Sequence, residues 1–337
     1  MVETLSAVYG AAAEWRRAWY ASHPNRQRRL ARPVISVGNL CVGGAGKTPI
    51  VEHLARLLAA GGEHPAILTR GYGRRHAPAG VTIVSDGTQL LAGVDTAGDE
   101  PLMLARAVPG VIVAVGADRY LAGRVAEHKL GATVHILDDG FQHFQLARDV
   151  DLLVTSEHDL GDRPLPAGRL RERLAAAAHA HAALVDAGYL PAAERVGRAL
   201  GVPRVFLATR LLGPPRMVRS GDTVVVPEHS RVFATAAIAR PERFFSDLVS
   251  AEWQVVGTMP FRDHHQFTPR DVARIAAAAK ASSAAIVLTT DKDAVRLAVC
   301  DLGDLPIAAV PLTATVEPAD EFRTWLFERL WLAGRPQ

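Results

Sequence analysis

The chain has 337 residues, 49% of them hydrophobic and 22% charged, with a formal net charge of +3. Such a chain can bury a sizeable core and form two domains; its dispersed charges and the lack of a recognised motif argue against nucleic acid as a partner. Cys41 and Cys300, the two cysteines, do not make a disulfide framework, which favours a reducing, cytoplasmic setting.

Residues 1–32 carry six arginines (16, 17, 26, 28, 29, 32) against two glutamates (3, 14), a local excess of +4. Leu5, Val8, Tyr9, Ala12, Trp15, Trp19 and Tyr20 fall near one face of a helix. That periodicity fits a helix lying on an anionic membrane surface, and it fits equally a first helix packed on its own domain with its arginines in water. No stretch reaches the roughly 18 apolar residues of a spanning helix. With Glu3 and no cleavage-site pattern, the start makes a poor signal peptide, so the chain is expected neither to cross nor to leave the membrane by itself.

Residues 34–38 read as a buried strand that runs into Cys41-Val42-Gly43-Gly44-Ala45-Gly46-Lys47-Thr48. Glycines at 43, 44 and 46 let backbone N–H groups turn around an anion. Lys47 can reach terminal phosphates, and Thr48 offers a hydroxyl to Mg²⁺ at a helix N-terminus. The ligand this predicts is a nucleoside triphosphate, although Cys41 stands where the generic pattern has glycine. Residues 49–58 continue as an amphipathic helix that tolerates Pro49 in its first turn.

Further apolar runs at 65–69, 81–84, 111–115, 133–137, 151–155, 182–186 and 204–208 alternate with helical stretches. The fold class this predicts is α/β: a P-loop NTPase-like, mainly parallel sheet with helices on both faces over 33–212, preceded by the basic helix and arm of 1–32. The pattern breaks at Leu212-Gly213-Pro214-Pro215. A second, smaller α/β domain over 213–337 follows, joined by a strand pair or linker around 222–227. It has expected strands near 231–236, 253–257, 285–290 and 306–310, and helices near 241–250, 269–281 and 318–333.

Several polar clusters follow these strands, where ligands of such sheets bind. Asp138 and Asp139 end an apolar strand, the place for an acid that holds Mg²⁺ or its water; the alternative is a plain turn. Gln142 and His143 lie just beyond. Asp99 precedes a helix and could cap it or remove a proton from an attacking hydroxyl. Asp263-His264-His265 suits acid–base support of that carboxylate better than zinc, because adjacent histidines diverge on a strand. Tyr72, within Arg70-Gly71-Tyr72-Gly73-Arg74, and Arg119, within Gly116-Ala117-Asp118-Arg119, suit an anionic or sugar-bearing acceptor. Glu172 adds an acid at a loop-to-helix transition, where capping is its ordinary use.

In this order, Val37-Gly38-Asn39-Leu40 with the loop through Lys47-Thr48-Pro49, Arg70-Gly71-Tyr72-Gly73, Gly98-Asp99-Glu100-Pro101, Gly116 to Arg119, Leu137 to His143, Pro166-Ala167-Gly168 with Leu170-Arg171-Glu172, Asp263 to His265 and Thr289 to Ala294 resemble the tetraacyldisaccharide 4′-kinase family of lipid A biosynthesis. The resemblance covers nearly the whole chain. It implies transfer of the ATP γ-phosphate to the 4′-hydroxyl of a tetraacyl glucosamine disaccharide 1-phosphate by a peripheral protein at the cytoplasmic face of the inner membrane, with Mg²⁺ and no obligate protein partner. It further implies Asp99 as base with His264, favoured over His265, behind it; Lys47 as a catalytic cation; residues 41–48 as the ATP loop; and Thr48, Asp138, Asp139 and Glu172 near the metal. Tyr72, Arg119, Gln142 and His143 would line the acceptor site, and the N-terminal helix would touch the membrane. Against the family pattern, Cys41 replaces a threonine, Asp291 a glutamate, and Ala237 to Arg240 a glycine-containing stretch. The alternatives are a soluble P-loop kinase of another metabolite and a membrane-associated P-loop ATPase switch. A GTP switch would need an Asn/Thr-Lys-x-Asp reader, and Thr290 to Asp293 has the wrong spacing.

Overall fold

A computed structural model describes residues 1–43, 46–71, 74 and 76–334. In chain order the regular elements are α1 (Val2–Ser22), β1 (Val34–Gly38), α2 (Lys47–Ala60), β2 (Pro65–Thr69), β3 (Thr82–Asp86), α3 (Val94–Ala97), α4 (Asp99–Ala107), β4 (Ile112–Val115), α5 (Arg119–Leu130), β5 (Val134–Asp138), β6 (Val150–Ser156), β7 (Ala182–Asp186), α6 (Leu190–Ala199) and β8 (Val205–Leu212). There follow β9 (Arg216–Met217), β10 (Arg231–Ala236), α7 (Pro241–Ser250), β11 (Gln254–Pro260), α8 (Pro269–Ala281), β12 (Ile286–Thr290), α9 (Asp291–Leu297), β13 (Ile307–Val310), β14 (Leu312–Glu317) and α10 (Ala319–Ala333).

Two sheets organise these elements. The larger runs β14-β8-β7-β6-β1-β5-β2-β4-β3 and is parallel except at its two edge strands. Its central strands are apolar on both faces, as parallel strands covered by helices must be: all five residues of β1, β2 and β5 are buried. One face packs Ile35 and Val37 against Ile50, Leu54 and Leu58 of α2 and Leu104 of α4; the other packs Val34 against Ala122 and Ala126 of α5. The smaller sheet, β11-β10-β12-β13-β9, is parallel apart from β9.

The structure corrects the expected limits of the second unit. After β13 the chain passes through Pro311 back to the large sheet, where β14 pairs antiparallel with β8 and α10 lays Phe322, Trp325 and Leu326 on the core of α2. Residues 312–333 therefore complete the first unit instead of ending the second at 337, and the small sheet is an insertion between β8 and β14. The two crossings touch, with the Gly213 N–H donating to the Pro311 carbonyl at 2.7 Å. A second correction concerns 222–227, which forms no strand beyond a single bridge at Thr223. Val224 and Val226 instead cover the small core, and the Val226 carbonyl accepts from the Trp253 indole.

The first helix docks in the opposite sense to an ordinary amphipathic helix. Ser6, Gly10 and Arg17 are its buried positions, while Val2, Leu5, Val8 and Trp15 are all more than half exposed. The Ser6 hydroxyl donates to the Pro164 carbonyl at 2.6 Å. Arg17 forks onto Glu172 at 2.7 and 2.8 Å and lies over the rings of Phe141 and Phe144. Arg28 and Arg29 are also paired, to Asp118 and Asp149, so three of the six arginines in this segment are in ion pairs with the protein itself.

Candidate active site

The phosphate edge starts where β1 ends. A Cβ on Gly38 would stand 2.5 Å from the Phe141 Cβ and 2.7 Å from its backbone nitrogen, so only glycine lets the connection after β5 cross there. Asn39 is buried and closes the loop base: its amide donates to the Cys41 carbonyl at 2.7 Å, and its Oδ1 accepts from Lys47 Nζ at 2.8 Å. Gly46 adopts φ +75° as the residue before α2, and Lys47 and Thr48 open that helix, whose unpaired N–H groups and dipole favour an anion. Gly43 is exposed at φ +99°. Gly44, Ala45 and, elsewhere in the site, Tyr72 lie outside the described residues.

Two expectations for this loop are corrected. The Val42 N–H is spent on the Arg169 carbonyl at 2.8 Å and cannot also face a phosphate. The Cys41 side chain is buried and points at Asp159, Sγ to Oδ1 3.1 Å, with burial, the hydrogen bond to Asp159 and its charge pushing the thiol up to about 12. Cys41 thus packs the loop from beneath.

Parallel register sets Asp138 beside Val37 of β1, which delivers the acid pair to the loop. Asp138 is buried and accepts from the Thr69 hydroxyl at 3.1 Å; burial, then Glu100 and Asp139, lift its carboxyl to about 6. Asp139 turns at φ +54° and receives Arg171 on both oxygens at 2.8 Å, with Lys47 Nζ 3.3 Å from Oδ1. Burial opposes its ionisation, but Lys47 and Arg171 outweigh it and hold this carboxyl below the usual range.

Glu172 is the clearest correction among the expected metal residues. It is 2% exposed and both its oxygens are bound by Arg17, so it anchors α1. Arg119 is buried by α5 with its guanidinium on the carbonyls of Gly116 and Ala117; burial, then Arg70, pull it down to about 10 against Asp138 and Asp139. Gln142 donates to the Asn39 carbonyl at 3.0 Å. His143 is lowered to about 4 by burial and by Arg119 and Arg148, which leaves a neutral imidazole.

Gly98, at φ +88°, turns the chain so that Asp99 is the first residue of α4 and not its cap. Asp99 is 5% exposed, with Oδ1 accepting from the Glu100 N–H at 3.2 Å and Oδ2 lying 3.1 Å from His264 Nδ1. His264 reaches it from the loop after β11 at φ +58°. His265 instead binds Asp271 at 3.0 Å and stacks on Phe261. The structure therefore brings Asp99 and His264 together and leaves His265, half-buried, on Asp271 of the small unit.

Residues outside the expected set also converge here. From α9 come Lys292, 3.1 Å from Glu100 and 3.2 Å from His264 Nε2, and buried Arg296, 3.5 Å from Asp99. Beside the loop, Arg210 of β8 rests its Cδ 3.3 Å from where a Gly46 Cβ would stand, and shares Asp186 with Arg243 of the small unit at 3.0 and 2.9 Å. Asn39, Glu100, Arg171 and Lys292 all lie inside the motifs quoted above; Arg210 carried no signal that spacing could supply. Cationic cradle, hard-oxygen acids and a carboxylate backed by imidazole are together the groups that phosphoryl transfer to a hydroxyl needs.

Comparison with known proteins agrees with that chemistry. Residues 1–330 match the family model described as tetraacyldisaccharide-1-P 4′-kinase. A protein of that name from Koribacter versatilis is 39% identical, covering 94% of each chain. Another from Syntrophus aciditrophicus is 35% identical over 98% of this chain and 92% of its own. The crystal structure of the "apo" form of LpxK from Aquifex aeolicus in complex with ATP superimposes with a TM-score of 0.78 at 30% identity, covering 98% of both chains.

Proposed function

The chain belongs to the tetraacyldisaccharide-1-P 4′-kinase family, and from that premise we propose that the phosphate edge and the Asp99–His264 pair are the donor and base of its single transfer. The protein is an ATP-dependent kinase of lipid A biosynthesis whose acceptor is a tetraacyldisaccharide 1-phosphate. In the assigned step, the 4′-oxygen forms a bond to the γ-phosphorus as the bond to the β,γ-bridging oxygen breaks. ADP carries away that electron pair, and the hydroxyl proton passes to the Asp99 carboxylate.

Lys47 and the α2 amides neutralise charge on the phosphates, while Arg171 and Asn39 hold Asp139 and Lys47 in place. Asp138 and the Thr48 hydroxyl are hard-oxygen donors that fit Mg²⁺, and Asp138 is the better carboxylate because Asp139 already carries two cations. The fit has an electrostatic sign as well: Glu100 and Asp139 crowd Asp138 with negative charge, which a divalent cation relieves. Bound there, Mg²⁺ supplies charge neutralisation on the transferring phosphate. Arg119, Gln142 and His143 form the neighbouring wall assigned to the acceptor.

The 3.1 Å contact between Asp99 and His264, made across two sheets, carries this reading, because a cap or a turn would not recruit a histidine from 165 residues away. Incubation with ATP, Mg²⁺ and a tetraacyldisaccharide 1-phosphate, followed by mass spectrometry, should show one added phosphate that Asp99→Ala abolishes. An unmodified disaccharide with the native chain, or full turnover by the variant, would defeat it.

The acceptor is an acylated lipid, and α1 offers the matching surface. Its outward Val2, Leu5, Val8, Tyr9 and Trp15 form an apolar strip suited to the headgroup boundary of an anionic membrane. The protein is accordingly assigned to the cytoplasmic face of the inner membrane as a peripheral enzyme; among the described residues, no helix is long and apolar enough to cross a membrane. Every group used comes from this chain, so no protein partner is invoked. Replacing Leu5, Val8 and Trp15 by serine should abolish sedimentation with anionic vesicles; unchanged sedimentation refutes the placement.

A further inference from the structure

We propose that Lys292 is a positioning residue that fixes the tautomer of His264, and with it the direction in which the Asp99 base is held. The inference rests on the assignment of Asp99 as base. Lys292 Nζ lies 3.2 Å from His264 Nε2 and 3.1 Å from Glu100 Oε1. An ammonium has three donors and no acceptor, so at this contact Nε2 must be the acceptor. A neutral imidazole that accepts at Nε2 carries its hydrogen on Nδ1, and Nδ1 is the atom 3.1 Å from Asp99 Oδ2. The chain of donors therefore runs one way, from Lys292 through the ring to the carboxylate.

Two consequences follow for the chemistry. With Nε2 occupied, His264 cannot itself take the sugar proton, which must go to Asp99. With Nδ1–H donating, one carboxylate oxygen is pinned and the other lone pairs of Asp99 are presented to the acceptor. Among the described residues, the charged groups facing the ring are Asp99 on α4, Asp263 on its own loop (3.9 Å from Nε2) and Lys292 on α9. Behind them, Glu100 holds Lys292, while Arg296, paired with Asp293, stands 3.5 Å from Asp99. Lys292 and Arg296 are four apart, so one face of α9 presents both cations to the first turn of α4.

Lys292→Met should lower kcat about 10- to 100-fold while KM for ATP stays within about twofold. Lys292→Arg keeps a cationic donor at Nε2 and should recover most of that loss. Independently of turnover, ¹⁵N-histidine NMR of the native protein at neutral pH should show His264 with a protonated Nδ1 and an unprotonated Nε2. A proton on Nε2, or a Met variant with the native kcat, overturns the inference while the kinase assignment survives. A native chain unable to phosphorylate the disaccharide overturns the kinase assignment instead.

Discussion

At the phosphate edge, Lys47, Asn39, Asp138 and Asp139 all hang from two neighbouring strands of one sheet, whereas Asp99 meets His264 only because α4 and α9 pack across two. The first constellation is fixed by register: Val37 opposite Asp138 leaves nothing to adjust. The second depends on the small unit standing where it does, held by Lys292 on Glu100, Arg296 on Asp99 and Arg243 on Asp186. On the proposed assignment, donor binding is a property of one sheet, and base competence a property of two sheets together.

The largest test of that contrast is Lys47→Ala, which should reduce kcat/KM for ATP by about 10³-fold or more by damaging both binding and transfer. Asp99→Asn should lower kcat by about 10²- to 10⁴-fold yet change the Kd for ATP less than about threefold; equal losses in both would erase the distinction between the two regions. Next comes Arg17→Met, which leaves Glu172 buried without its partner and should destabilise the chain by about 3–5 kcal/mol in denaturant unfolding. Its companion, Glu172→Gln, should leave the Mg²⁺ dependence of kcat unchanged, the opposite of what a metal ligand would do.

The smallest effect is in pH dependence. Asp138 has a folded value of about 6 against the ordinary 3.8, so the native state holds its proton more tightly than the unfolded chain. Its contribution is fully present below about 4 and lost as pH rises through about 6. Asp138→Asn, which cannot ionise, should therefore raise Tm by about 2–4 °C at pH 8 and by nothing near pH 4. An equal gain at both pH values would point to packing, not charge.

Much of this was legible in the residues. The strand-loop-helix at 34–58, the acids at 138 and 139 and the strands from 65 to 212 followed from local period and glycine placement, because a parallel strand buried on both faces declares itself as an unbroken apolar run. Asp99 and His264 were legible as residue types, and their pairing was an expectation carried by the resemblance, while the 3.1 Å contact itself needed the fold. What stayed hidden depended on long-range pairing. Nothing local in 312–317 says that it pairs with 207–212 and not with 307–310. Glu172 looked like a site acid because its true partner, Arg17, lies 155 residues away. The stripe on α1 was correctly seen, while the period left its direction open between membrane and domain: ion pairs and a serine hold the helix from its polar side, which period alone cannot express.

The return of the chain to β14 has a consequence for how the protein is made. The nine-stranded sheet lacks one edge, and the core over α2 lacks Phe322, Trp325 and Leu326, until residues 312–333 have left the ribosome. During synthesis the inserted unit can fold on short-range contacts while the older, larger one waits with β8 as a bare edge. The clasp that closes the first unit is thus made only after the whole of the second.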